Sequence, residues 1–323
     1  MKNKMMKLAV WGLGKHAINN ILPACKKSLD IELFGVYTRD ELTRNKCAKN
    51  FDCRTWQNQY EMLDDPNVNI IYLSTPPALH YQSGIEILTS GKHFWCEKPF
   101  TTNLENTQHL IELSEKHNLT LAEGFMYLHH PQFLLLKEQL KMFKPNEIKL
   151  INSTFTLPFS ETPGFRYNKE LGGSTLLDIG TYPLSIILHL IEDEQPQILL
   201  TKSNIDKSSK VDMSGFTILK SDGGTICNLF WGMGFGYRNE IDILTTKGSI
   251  YSDKIFSKKE DFVPKIFIRN NYGDISNIES KAENHFILML RHFYSLISDS
   301  KKAQIEKEHI LNLSRITEEI KIS

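Results

Sequence analysis

An α/β chain in two parts is predicted: a doubly wound parallel sheet first, then an α+β part with a large, mostly antiparallel open sheet. Three observations carry the prediction. Apolar strands alternate with helical stretches from Lys7 to Phe125, the order that builds βαβ units. A glycine-rich turn, Gly12-Leu13-Gly14-Lys15-His16-Ala17, stands between the first strand and the first helix. After Gly124 the pattern turns into long strand-like stretches with hairpin turns. With 323 residues, two domains are expected, over residues 1–124 and 125–323.

Lys7–Trp11 reads as a buried strand, and the turn after it fits Gly-x-Gly-x-x-Gly/Ala in its required context. Gly12 permits the tight turn, Gly14 lets a pyrophosphate approach the backbone, and Ala17 lets the helix, running to about Cys25, pack on the strand. Lys15 and His16 complete a Rossmann dinucleotide loop in which the phosphates meet the positive end of the helix. The second strand, Ile31–Tyr37, ends in Thr38-Arg39. An acid there would accept from the ribose hydroxyls of NAD. A hydroxyl and a guanidinium instead suit a 2′-phosphate, so NADP(H) is favoured over NAD(H). Asp40 is either a ribose ligand or a helix cap.

Val68–Thr75 reads as a further strand that brings Thr75 and Pro76 to the nicotinamide side. His80, counted with the cofactor residues by its place, reads as a packing or helix-surface residue rather than a catalyst. The run His93–Phe100 ends in Glu97-Lys98-Pro99. Proline restricts the residue before it to extended backbone, which gives the Lys98 amine a defined direction, with Glu97 placed to hold it. A helix over about Leu104–His117, capped by Asn103 or Thr102, and a strand over Leu119–Phe125 close this part.

In the second part, strands are predicted over Glu147–Phe159, Gln197–Lys202, Ser214–Ser221, Thr225–Trp231, Arg238–Thr245 and Val263–Asn270. Ser221-Asp222-Gly223-Gly224 and Lys247-Gly248-Ser249 are the hairpin turns. Thr201–Lys210 reads as a polar loop, and helices fall near Glu283–Ile297 and Glu306–Ile320. One inserted helix carries Asp178, Tyr182 and Ser185 at i, i+4 and i+7 among apolar neighbours, aligned on one face. A carboxylate and a phenol there are costly unless they line a cavity or find partners. Gly180 and Pro183 interrupt that helix.

Lys plus Arg equals Asp plus Glu at 38 each, so no net field draws the chain to nucleic acid or anionic lipid. The lysine-rich start leads into an apolar run too short for a signal peptide, and no later run reaches a membrane span. Five cysteines without a Cys-x-x-Cys pair suggest neither a disulfide framework nor a zinc site. A cytoplasmic protein is expected.

Taken in order, Gly12-x-Gly14-x-x-Ala17, Glu97-Lys98-Pro99, and Gly172-Gly173 followed by Asp178-x-Gly180-x-Tyr182 make the chain resemble the glucose–fructose oxidoreductase / inositol dehydrogenase (Gfo/Idh/MocA) family over essentially its whole length. The resemblance implies an NAD(P)-dependent oxidoreductase in which Lys98 contacts nicotinamide and substrate, and in which Asp178 and Tyr182 face it. The usual histidine is Tyr182 here, as in the branch of dihydrodiol and xylose dehydrogenases and sugar ketoreductases. The aspartate often found three residues later is Ser185, and Met126-Tyr127-Leu128-His129-His130-Pro131 lacks a usual arginine. Gly164-Phe165-Arg166-Tyr167 fits the tyrosine branch, and Gly234–Ile250 looks like members of nucleotide-sugar pathways.

The implied chemistry is hydride transfer between nicotinamide and a sugar carbonyl or hydroxyl, with a nucleotide-sugar ketoreductase first. A free-aldose or dihydrodiol dehydrogenase, and a catalytically silent NADP-binding module, are the alternatives. Lys98 would stabilise an alkoxide. Tyr182, whose phenol has an ordinary pKa of about 10, would give the proton with help from a neighbouring ammonium. Asp178 would orient them, and Arg166, Tyr167 and Arg238 would bind substrate, the arginines at a diphosphate. The apolar residues Phe216, Ile218, Leu229, Trp231, Ile241 and Ile243 are expected on an uncovered sheet face, giving a homodimer or homotetramer through the C-terminal sheet.

Overall fold

The computed structural model describes residues 5–159, 164–191 and 195–322. Part of the lysine-rich start, Met1–Lys4, lies outside the described residues. The chain forms two compact units.

The first unit comprises Met1–Phe125 and Phe286–Ser314. Its strands are β1 (Met6–Trp11), β2 (Ile31–Tyr37), β3 (Arg54–Thr55), β4 (Ile70–Leu73), β5 (His93–Cys96) and β6 (Leu121–Glu123), in the order β3-β2-β1-β4-β5-β6. All pairs are parallel. The order reverses between β1 and β4, and in such sheets ligands bind outside the carboxyl ends at that point. Helices α1 (Leu22–Lys27), α2 (Glu41–Asn50), α3 (Gln59–Asp64), α4 (His80–Thr89) and α5 (Leu104–Lys116) fill the crossovers. The central strands are buried on both faces, and β4 is buried at every position. Asn103 caps α5 by accepting from the Asn106 N–H at 2.9 Å.

The second unit comprises Met126–His285 and Arg315–Ser323. Its strands are β7 (Ile148–Leu157), β8 (Gln197–Ile205), β9 (Asp212–Lys220), β10 (Ile226–Met233), β11 (Arg238–Thr245), β12 (Gly248–Asp253), β13 (Lys265–Asn270) and β14 (Ile275–Glu279). They lie in the order β14-β13-β12-β11-β7-β10-β9-β8, antiparallel except for the parallel pair β7–β10. The helices here are α6 (Pro131–Leu140) and α7 (Thr181–Leu190), with α8 (His285–Ser298) and α9 (Ser300–Ile322) closing the chain.

Five expectations differ from this arrangement. The last helices do not belong wholly to the second part: Phe286–Ser314 joins the first unit, where Phe293 stacks on Trp95 at 5.4 Å and Ile310 enters the core with Phe94, Phe100 and Leu110. The polar loop over Thr201–Lys210 is strand as far as Ile205, and β12 and β14 were not anticipated. Both β8 and β14 are exposed edge strands, held by ladder hydrogen bonds rather than burial, so they show no apolar alternation.

The uncovered apolar face mixes two faces. Leu229, Trp231, Ile241 and Ile243 are buried, on the side where the inserted helix packs. Phe216 and Ile218 lie on the other side, beside Phe230 and Asn228 in the ladder. One segment, Lys169–Leu190, is long and apolar enough to cross a membrane by length and composition, against expectation. It is the core helix of the second unit, with 83% of its most apolar window buried. Finally, its early turns, Leu176–Gly180, form a π-helix, and regular α-helix starts at Thr181. Gly180 sits at that junction because a Cβ there would lie 3.0 Å from the Trp231 ring.

Candidate active site

Three strand ends meet at Gly12. Its N–H donates to Tyr37 O at 2.8 Å, and Ser74 N donates to Trp11 O at 2.7 Å. Its φ is +103°, and a Cβ would stand 2.3 Å from Ser74 O, so only glycine serves there. A Cβ on Gly14 would meet nothing within 4 Å, which leaves the backbone open to a ligand. Ala17 is fully buried against the sheet, and Lys15 is exposed.

At the tip of β2, Thr38 is half-buried and Arg39 exposed. Asp40 resolves as a cap: its Oδ1 accepts from the Thr43 N–H at 2.7 Å, which opens α2. Arg44, a buried residue that sequence reading missed, braces the tip by donating from Nη1 to Thr38 O at 3.0 Å.

The Glu97–Phe100 turn follows β5, and its Lys98–Pro99 peptide is cis. Glu97 was expected to hold the Lys98 amine. Its Oε1 accepts from the Tyr72 hydroxyl at 2.6 Å and pairs with His16 Nε2 at 2.9 Å. Burial pushes the Glu97 carboxyl up, but the His16 charge and the hydrogen bonds from His16 and Tyr72, with Lys98 nearby, hold it below the usual carboxylate range. His16 thereby links the glycine-rich loop to the lysine turn.

His80 is fully buried. Nδ1 lies 2.8 Å from Pro99 O and Nε2 2.9 Å from Thr75 O. Burial pushes the imidazole toward its neutral form, so one of the two contacts is a donated hydrogen bond. The residue pins Thr75, beside the half-buried Pro76, to the lysine turn from beneath, and it has no surface to offer a cofactor. Sequence reading also missed Tyr72 and Glu123. The signal for both was a polar group inside a run that must be buried.

In the second unit, Arg166 Nε donates to Asp178 Oδ2 at 2.6 Å. The turn that bears Arg166 folds over Gly173, where a Cβ would lie 2.6 Å from the carbonyl oxygens of Phe165 and Arg166 and 2.7 Å from that of Asn168. This close approach is the physical content of the Gly172-Gly173 pair. Asp212, from the start of β9, accepts from the Leu176 N–H at 2.7 Å and opens the inserted helix.

Asp178 lies within the π-turn and Tyr182 in the regular helix after it. Asp178 pairs with Arg166, Tyr182 meets Met126, and Ser185 meets Tyr127. The Tyr182 hydroxyl donates to Met126 Sδ at 3.7 Å, and its ring packs on Phe155, Phe256 and Tyr127. The Tyr127 hydroxyl donates to Ser185 Oγ at 3.0 Å. Thioether sulfur is a weak acceptor, so the Met126 contact is a weak one for a phenol. The Tyr167 hydroxyl is buried without a hydrogen-bond partner among the described residues. Arg238 is exposed and is held by Glu240 at 2.8 and 3.0 Å, so a diphosphate would have to compete with its own strand neighbour.

Comparison with known proteins follows the same division. Residues 6–125 match the model of an oxidoreductase family with an NAD-binding Rossmann fold, and residues 134–251 match the GFO/IDH/MocA C-terminal domain. The chain is 29% identical to a dTDP-3,4-didehydro-2,6-dideoxy-α-D-glucose 3-reductase of Saccharopolyspora spinosa, over 87% of this chain and 84% of that one. It is 28% identical to a trans-1,2-dihydrobenzene-1,2-diol dehydrogenase of Xenopus tropicalis, over 69% and 67%. The fold is shared with a 3-ketoreductase of Actinomadura kijaniata solved with NADP and TDP-benzene. The TM-score is 0.93 at 22% identity, covering 99% of this chain and 98% of that one. Both halves of the chain, with the glycine-rich loop, the Glu-Lys-Pro turn and the glycine pair before Asp178 and Tyr182, thus belong to one oxidoreductase family, GFO/IDH/MocA.

Proposed function

We propose that the protein reduces a keto sugar carried on a nucleoside diphosphate, with a dTDP-linked 3-keto deoxysugar as the substrate class and NADP(H) as the cofactor. The observation that carries this reading is the retention of Lys98, Asp178 and Tyr182 in a chain similar to a dTDP-sugar 3-reductase over 87% of its length. The dinucleotide fits the first unit: Gly12 and Gly14 leave the backbone open, Ala17 seats the helix, and Thr38 with Arg39 offers a hydroxyl and a forked donor for a 2′-phosphate. When bound, NADPH supplies the hydride.

The chain's own residues do the rest. Lys98, on a turn fixed by Glu97, His80 and their partners, stabilises negative charge on the carbonyl oxygen. Tyr182 supplies the proton. Asp178 orients Arg166 for the substrate, with the unpartnered Tyr167 hydroxyl beside it in sequence. A dehydrogenase for a free aldose or a trans-dihydrodiol is the second reading, favoured by the likeness to the Xenopus enzyme.

The open side of the C-terminal sheet, with Phe216, Ile218 and Phe230, is the surface for a homodimer or homotetramer. Light scattering should give at least twice the chain mass at micromolar concentration. The five free thiols suit a cytoplasmic setting. A screen of dTDP-keto sugars, free aldoses and dihydrodiols with NADP(H) and NAD(H) tests the function through reduced-nicotinamide absorbance. Consumption of NADPH with the dTDP-keto sugars alone is expected. Faster NADP⁺ reduction by a free aldose or a dihydrodiol would replace this reading with the second.

A further inference from the structure

After Lys98 the turn has few polar backbone handles, because Pro99 has no N–H. Two remain close by, the Pro99 carbonyl and the Phe100 N–H. Each is held by a buried side chain from a different element: His80 of α4 lies 2.8 Å from Pro99 O, and Glu123 of β6 accepts from Phe100 N at 2.7 Å. Phe100 is 3% exposed and Glu123 6%, so water does not compete for either group.

We infer that Glu123 is a positioning residue for Lys98, its carboxyl holding the Phe100 N–H and so fixing the far end of the turn from which the ammonium projects. The inference rests on the reading of Lys98 given above. Glu123 is itself braced by the returning C-terminal helices. Glu306 Oε1 of α9 accepts from the Glu123 N–H at 3.2 Å, and Glu306 Oε2 lies 3.3 Å from His292 Nε2 of α8.

Glu123 acts as a neutral acceptor. Burial pushes its carboxyl up to about 8, with the Phe100 hydrogen bond and Lys98 pulling it down and Glu306 and Glu97 pushing it further up. At neutral pH its C=O accepts and its proton stays on the other oxygen. Glutamine matches that form in shape and acceptor. A side chain without an acceptor leaves a buried N–H unsatisfied, which costs about 1–3 kcal/mol, and the turn then moves to relieve it. A displacement of about 1 Å at a reacting group costs about 10²-fold in rate.

The test compares E123Q with E123M, assayed with NADPH and a dTDP-keto sugar, with NADPH affinity measured separately by fluorescence. E123M should lose about 10–100-fold in kcat with NADPH affinity within about threefold, and E123Q should recover most of that loss. If E123M does not fold, E123D, too short by one methylene to reach Phe100, takes its place. An E123Q as impaired as E123M would show that the ionised group or its proton matters and overturn the inference, as would an E123M of full kcat. Failure of the parent enzyme with every keto sugar would sink the functional reading instead.

Discussion

Gly173→Ala reports on how the second unit sets its candidate substrate groups. An added Cβ would stand 2.6, 2.6 and 2.7 Å from three carbonyl oxygens, where ordinary contact begins at 3.4 Å. The oxygens belong to one turn, so backbone must move by about 0.8 Å, because no side-chain rotation can make room; overpacking of this kind costs about 1–3 kcal/mol. If the Arg166 turn takes the movement, the 2.6 Å Arg166–Asp178 bond stretches beyond hydrogen-bond range. That pair is half exposed on the arginine side, so its loss is worth about 1 kcal/mol after screening. The expected result is a fall of about 10–100-fold in kcat/KM for the sugar and a Tm lower by about 2–10 °C. NADPH affinity should stay within about twofold, since Gly173 belongs to the other unit. Gly236→Ala, where a Cβ would meet nothing within 4 Å, is the control and should leave Tm unchanged. Steady-state kinetics, a fluorescence titration with NADPH and a thermal melt suffice. Unchanged kcat/KM with unchanged Tm would refute the reasoning, because it would mean the carbonyl cage yields freely.

Arg39→Ala should raise the dissociation constant for NADPH far more than that for NADH, and equal losses would remove the 2′-phosphate assignment. Tyr182→Phe should cut turnover about 10²–10⁴-fold while NADPH binding stays nearly constant. Lys98→Ala should do at least as much damage, and the double variant little more than the worse single one; additive losses would separate the two roles. Glu123 binds a proton in the folded state up to about pH 8 but in the unfolded chain only to about 4.5, so its contribution to stability is lost as pH rises through that window. Denaturant melts of E123Q should therefore show a shallower fall in stability between pH 5 and about 8 than the parent protein, and parallel curves would contradict the neutral form.

Legibility in the sequence followed the physics of each element. The glycine-rich loop, β2 and the Asn103 cap were readable because local geometry demands particular residues there. Edge strand β14 and the end of β8 beyond Lys202 were not, because exposed strands leave no apolar alternation. The π-turn at Leu176–Gly180 could not be read from spacing, since i, i+4 and i+7 presume regular turns. The partners of Glu97 come from residues 25 and 81 positions away, Tyr72 and His16. Only the fold brings them to that carboxylate. The return of Phe286–Ser314, most of α8 and the first part of α9, to the first unit was invisible for the same reason: amphipathic periodicity says that a helix packs, not on what.

The central claim is hydride delivery from NADPH to the keto carbon of a dTDP-linked sugar, and isotope transfer tests it most directly. NADPH deuterated at the transferring position of the nicotinamide is incubated with the enzyme and a dTDP-3-keto deoxysugar, and the product is examined by mass spectrometry and NMR. The account predicts a single deuterium on the carbon that bore the ketone, with Tyr182→Phe giving the same label far more slowly. A reduced sugar without the label, or label appearing only when the solvent is deuterated, would contradict it.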